Sequence, residues 1–134
     1  MGLPVLRNWF LVALVATPSY ADDRADYLLH CGGCHLPDGR GTPPEVPSLR
    51  DELGKIVTIS GGREYLVQVP GSSQAPVSDQ VLANIINWIL VEFNEQTLSA
   101  DFVPLSEDEV SKARKFTLAD PLKRREEIWR SYAE

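Results

Sequence analysis

Two cysteines at a spacing of three residues are directly followed by a histidine, in the order Cys31, Cys34 and His35. The chain contains no other cysteine. At this spacing two thiols can bond covalently to the vinyl groups of a haem while the histidine ligates its iron. On a helix, Cys31 and Cys34 lie about one turn apart on one face. The sequence therefore predicts one covalently bound haem c, held by Cys31 and Cys34, with His35 as the iron ligand.

Two other chemistries use a Cys-x-x-Cys pair. A redox disulfide of the thioredoxin type opens a helix after a buried strand, and no apolar strand run precedes Cys31. A zinc site needs two further ligands, and the one other histidine, His30, directly adjoins the first cysteine. Haem attachment is the stronger interpretation, and disulfide chemistry is the main alternative.

Residues 1–21 have the pattern of a secretory signal peptide. Arg7 supplies a positive charge, residues 9–16 form an apolar run, and Ser19 and Ala21 are small residues suited to a cleavage site. The apolar run is too short to span a bilayer. We therefore expect an exported, soluble protein of the periplasm that begins near Asp22. Membrane association is expected only if the signal stays uncleaved.

Acidic residues outnumber basic ones in this chain. The formal net charge is −6, and loss of Arg7 with the signal changes it to about −7. Such a charge disfavours nucleic acid and anionic lipid as partners, and it suits a protein that presents a basic patch. A charge that serves solubility alone is an equally good explanation.

Hydrophobic spacing predicts an all-α fold of small helices. Three segments of the first two thirds of the chain have this spacing: residues 23–35, 63–69 and 79–94. The first carries the haem motif at its C-terminal end, and the last follows an N-cap at Ser78 and has a broad apolar face. Prolines and glycines predict irregular loops over residues 36–47 and 70–76.

The last third of the chain differs in composition and is expected to form a C-terminal helical extension, residues 96–134. Ser106 begins a capping-box pattern, and Asp120 is an N-cap before a proline at the first helical position. In the final helix, Leu122, Trp129 and Tyr132 share one side, with Ile128 at its border. This stripe either packs back on its own domain or docks on another protein, and we favour packing.

Residues 22–94 resemble a class I c-type cytochrome. A first helix ends in Cys-Gly-Gly-Cys-His, a proline-rich loop and short helices follow, and an amphipathic helix then crosses the first. The resemblance implies a cytochrome c-like domain over residues 22–95. It also implies that the carbonyl of Pro47 accepts a hydrogen bond from the ring N–H of His35 and so orients the ligand. Tyr27 and Trp88 match the aromatic contact between the first and last helices of such a domain.

The chain departs from this resemblance at the sixth iron ligand. Family members commonly supply a methionine from the loop before the last helix, but the one methionine here is Met1, in the signal. Gln74 holds the most nearly equivalent place and is expected near the distal side, although an amide oxygen is a weak iron ligand. Lys55, a ligand from a partner chain, and a vacant or water-occupied position are the alternatives. His30 is a poor candidate because it adjoins Cys31 on the proximal side.

These features imply an electron-transfer protein rather than an enzyme. The expected role is to carry single electrons from a periplasmic dehydrogenase to a downstream acceptor, so the expected partners are redox proteins. Two alternatives remain. An open iron position would bind small ligands, and the C-terminal extension could attach the chain to a dehydrogenase complex as a subunit.

Overall fold

A computed structural model describes residues 22–132, so the predicted signal peptide lies outside the described residues. This part of the chain folds into eight helices and forms no strand, which confirms the all-α prediction; an isolated bridge pairs Thr42 with Val46. No helix among the described residues is long and apolar enough to cross a membrane. The helices are α1 Asp23–His30, α2 Gly32–His35, α3 Leu53–Ile56, α4 Gly62–Gln68, α5 Pro70–Ser73, α6 Asp79–Phe93, α7 Glu107–Ala113 and α8 Pro121–Tyr132.

The single helix expected over residues 23–35 is divided at Cys31. This residue ends α1, where its N–H donates to the carbonyl of Tyr27 at 2.8 Å, and it precedes the one-turn helix α2. The two glycines that follow Cys31 are weak helix formers, which accounts for the break. A second difference is the helical turn α5 inside the predicted loop 70–76, where Pro70 takes the first helical position that proline favours.

Helices α1 and α6 pack against each other through aromatic side chains. Tyr27 is fully buried, and its ring centroid lies 5.2 Å from that of Trp88 and 5.4 Å from that of Phe93. Its hydroxyl donates to the carbonyl of Leu36, just after the haem motif. The Tyr27–Trp88 contact is the one that the resemblance implies, and it fixes the motif against the helix with the largest apolar face.

Asn94 closes α6 and joins it to the preceding loop. Its side chain is fully buried, accepts from the N–H of Gly54 at 3.1 Å and donates to the carbonyl of Leu49 at 2.9 Å. A buried amide with these partners is satisfied and costs little to bury. Asn94 thus fixes α3 and the segment before it relative to α6.

The C-terminal extension packs on the cytochrome-like part and shares its core. Leu105, Val110, Ala113 and Ile128 belong to the same buried cluster as Tyr27. Packing therefore accounts for the tail better than docking on another protein. The buried face differs from the predicted stripe, since Ile128 is 1% exposed whereas Leu122 and Tyr132 are exposed. The packing of α8 on the rest of the protein decides which side is buried. The helix packs against α4 and turns Ile128 toward the core.

The guanidinium of Arg114 connects the end of α7 to the loop before α6. It donates to the carbonyl of Ser73 at 3.0 Å, to that of Val77 at 2.8 Å and to the carbonyl of Ala75, and it pairs with the Asp79 carboxylate at 2.9 Å. Its hydrogen bonds hold the pKa of Asp79 below its usual value. The extension thus fixes the loop before α6, where the class I cytochromes that the sequence resembles commonly carry an axial methionine.

Replacing Glu109 with glutamine is expected to lower the free energy of unfolding at pH 7 by about 1 kcal/mol. Its carboxylate forms a two-point ion pair with Arg63, at 2.6 and 2.8 Å, and this pairing holds the pKa of Glu109 below its usual value. A lowered carboxyl pKa stabilises the fold above the pKa of the unfolded chain, and this stability is lost as pH falls through the folded pKa.

Urea denaturation at several pH values checks this expectation. The difference between wild type and Glu109→Gln should shrink below about pH 4. Asp108→Asn is the matched control on the same helix, because its pair with Lys112 is about three-quarters exposed, and it should change stability by under about 0.5 kcal/mol. A pH-independent effect of Glu109→Gln would contradict an ionic role for the pair.

Candidate haem site

A cavity of about 450 Å³ lies between the haem motif and helices α4, α5 and α6. Cys31, Cys34, His35 and Pro47 line one part of it, and apolar side chains such as Leu66 and Ile86 line another. A mostly apolar cavity with a few placed polar groups is the usual form of a cofactor site. Further lining residues come from α4, α5, α6 and the tail: Tyr65, Val69, Gly71, Ser72, Ile89, Ala119, Asp120, Pro121, Leu122 and Arg125.

The two cysteines are free thiols in this structure, Cys31 half-buried and Cys34 exposed. Burial, with a smaller contribution from Cys34, raises the pKa of Cys31 to about 11. A thioredoxin-type site needs a lowered thiol pKa, so this environment disfavours the disulfide alternative. The described residues also contain no group of three or more potential metal-ligating side chains, so they provide no zinc site.

The imidazole of His35 is oriented by the chain that follows it. Its Nδ1 lies 3.2 Å from the carbonyl oxygen of Pro47 and must donate, because a carbonyl can only accept. This is the contact that the resemblance implies for Pro47. Burial lowers the pKa of His35. At pH 7 the neutral ring therefore predominates, the carbonyl holds its proton on Nδ1, and Nε2 is left free to ligate a metal.

A tight turn brings Pro47 to His35. The N–H of Gly41 donates to the carbonyl of His35 at 2.9 Å, and Thr42 and Val46 pair across the turn. Gly41 has a φ of 62°, and any side chain there would collide with the carbonyl of Val46. Glycine is required for this reversal.

The residues weighed as a sixth ligand take different places in the structure. Gln74 is exposed and does not line the cavity, whereas Gly71 and Ser72 of the same segment do. Lys55 is also exposed and away from the lining. His30 is half-buried and lines the cavity beside Cys31. The wall formed by α4 and α5 thus presents hydroxyl and apolar groups to the cavity. None of its lining residues carries a sulfur atom or a basic nitrogen.

Arg125 is the one lysine or arginine among the described residues that line the cavity. Its side chain is 12% exposed, pairs with the carboxylate of Glu52 and donates to the carbonyl of Ser48 at 3.4 Å. A haem carries two carboxylates, so a mostly buried guanidinium at the cavity is suited to hold one of them. With two thiols, a neutral imidazole and an apolar wall, the cavity fits a haem.

Sequence reasoning missed Tyr65, Ser72 and Arg125 as cavity residues. Tyr65 lies on a helix that the sequence predicted. The sequence of a seven-residue helix does not show which of its side chains contacts a cofactor. Arg125 stands in a run of basic residues that is indistinguishable from a solvated helix face. Only the packing of α8 brings this arginine to the cavity.

The fold and this site define a small helical protein built around a covalently held haem. No protein-family model matches the chain. A cytochrome c-552 of Thermus thermophilus is 29% identical, in a match that covers 79% of this chain and 96% of that protein. A second cytochrome c-552, from one particular strain of the same species, is also 29% identical, in a match that covers 79% of this chain and 85% of that protein. Together with the haem motif and its cavity, this similarity supports a c-type cytochrome with one haem c.

Proposed function

We propose that this protein is an exported, periplasmic class I cytochrome that carries single electrons between an extracytoplasmic dehydrogenase and a downstream acceptor. The observation that carries the proposal is the assembly of Cys31, Cys34 and His35 at one cavity, with the His35 ring nitrogen 3.2 Å from the carbonyl of Pro47. A fixed, neutral imidazole beside two thiols is the arrangement that a covalent haem requires.

The chain's own residues hold and tune the group. Cys31 and Cys34 would form the thioether bonds, His35 would ligate the iron, and Pro47 keeps the imidazole in its ligating tautomer. Arg125 would neutralise a haem carboxylate. When bound, the haem supplies one-electron chemistry between ferric and ferrous iron. Without a methionine in the described chain, the reduction potential is expected to be lower than that of a His/Met cytochrome.

The exposed position of Cys34 supports a port for electrons at the surface. A thioether at an exposed cysteine places the adjacent ring edge near solvent, where a partner can approach. The net charge of −6 supports a partner that presents a basic patch, because complementary charge accelerates encounter. Nucleic acid and anionic membranes do not suit this charge.

The test uses the haem-loaded protein from a host with a c-type maturation system. The protein should be recovered from the periplasmic fraction, begin near Asp22 and titrate reversibly as a one-electron couple. Added salt should slow oxidation of the reduced protein by a cationic cobalt complex and should speed its oxidation by anionic ferricyanide, because salt screens the attraction and the repulsion alike. Irreversible oxidation, or recovery only as a tight dehydrogenase subunit, would contradict a free electron carrier.

A second candidate function is the binding of small molecules at the haem iron. The observation that favours it is the wall formed by α4 and α5, where the lining residues carry no thioether, imidazole or amine. An iron that lacks a strong sixth ligand is open to diatomic molecules and small anions. The two functions are distinguished by the spin state of the iron and by its response to added ligands.

A further inference from the structure

Tyr65 and Ser72 place hydroxyl groups at the cavity that no described residue engages. Tyr65 is 4% exposed and lines the cavity, and its hydroxyl forms no hydrogen bond within residues 22–132. The Ser72 hydroxyl is likewise without a hydrogen-bond partner among those residues. By contrast, Tyr27 donates to the carbonyl of Leu36, and the neighbouring Ser73 bonds to Thr117 at 3.0 Å.

The hydroxyl oxygen of Tyr65 is not sealed from solvent. Among the described residues, no side-chain oxygen or nitrogen that is fully sealed from solvent lacks a hydrogen-bond partner. The Tyr65 oxygen therefore keeps some access to solvent, and Tyr65, which is 4% exposed, is one of the residues that line the cavity. An unpartnered donor on a buried residue that lines a cofactor cavity is expected to meet a partner there.

We propose that Tyr65 donates a hydrogen bond to a small diatomic molecule or anion bound at the open face of the haem. The proposal rests on the haem site of the proposed function. His35 comes from α2 on one wall, whereas Tyr65 comes from α4, which packs mainly with α5, α7 and α8. The ligand would thus sit between the haem and the α4 wall.

The surroundings of Tyr65 suit a hydrogen bond to a bound ligand. A tyrosine hydroxyl carries one O–H donor, and the described residues offer it no acceptor. Leu66, Val69 and Ile86 surround the same space, and an apolar environment strengthens such a hydrogen bond.

The wall is held in place before any ligand arrives. Arg114 donates to the carbonyls of Ser73, Ala75 and Val77, and the N–H of Leu118 donates to the carbonyl of Gln68 at 2.9 Å. These contacts from the tail fix the end of α4 and the turn of α5. A prearranged donor loses little entropy when it binds a ligand.

The experiment measures cyanide binding to the ferric haem protein and carbon monoxide binding to the ferrous one. Tyr65→Phe should raise the cyanide dissociation constant about tenfold, the effect of one hydrogen bond to a charged ligand, and should raise the carbon monoxide stretching frequency. Tyr132→Phe, an exposed tyrosine of α8, is the control and should change neither quantity. Exchange into heavy water should shift the ligand vibrations of the wild type, a readout that needs no variant.

Four results would contradict the proposal or the function on which it rests. Equal cyanide affinity in wild type and Tyr65→Phe would overturn the proposal, as would conversion of low-spin to high-spin iron by this variant, which would make Tyr65 a ligand. If neither probe binds but the protein titrates reversibly, the inference fails and electron transfer stands. If no haem is attached, the proposed function itself fails.

Discussion

Replacing both Cys31 and Cys34 with serine is expected to abolish acid-stable haem and most of the folded protein. The thiols line a cavity of about 450 Å³ that only a large apolar group can fill. Without the haem, the apolar side chains that line this open cavity lose their packing partner and meet water, which costs about 25 cal/mol for each Å² of apolar surface left exposed. A small domain has a total stability of only about 5–15 kcal/mol, so losing this packing is expected to unfold most of the protein.

Mass spectrometry after acid extraction and circular dichroism measure the two effects. His30→Ala is the matched control, because His30 lines the same cavity beside Cys31 but forms no thioether. This variant should keep one covalent haem. A folded wild-type protein with a disulfide between Cys31 and Cys34 and no haem would contradict the cytochrome interpretation.

Truncation after Asn94 is expected to leave haem attachment intact and to lower the melting temperature strongly. The thiols and His35 precede this point, but the deleted segment contributes Leu105, Val110 and Ile128 to the common core. At about 1.5–3 kcal/mol for each buried aliphatic side chain, their loss costs on the order of 6 kcal/mol. It also removes Arg114, which holds the loop before α6, and Arg125, which lines the cavity.

A point variant tests the same packing without deleting a segment. Ile128→Ala should cost about 3 kcal/mol because the side chain is 1% exposed, whereas Tyr132→Ala on the same helix should cost under about 0.5 kcal/mol. Thermal denaturation of the haem-loaded proteins measures both. A truncated protein with an unchanged melting temperature but no electron transfer to its donor would show that the tail is a docking element.

Local signals identified most elements and the central residues of the site. Ser78 caps α6 by accepting from the N–H of Val81 at 3.2 Å, and Ser106 caps α7 by accepting from Glu109 at the same distance. Such caps act within one helical turn, so sequence alone reveals them. The spacing of Cys31, Cys34 and His35 is equally local. The place of Pro47 beside His35 came from the family resemblance and not from any local rule.

The sequence by itself determined most of the helices, their caps and the haem-binding motif, because these depend on residues within a few positions of one another. Tertiary structure decided what surrounds the motif. It placed Ser72 at the cavity and left Gln74, two residues later, outside it. It also turned Ile128 into the core. Arg125 lies at the cavity and pairs with Glu52, although more than 70 residues separate the two in the sequence. Contacts between distant segments depend on how whole helices pack, and that packing leaves no mark in the spacing of nearby residues.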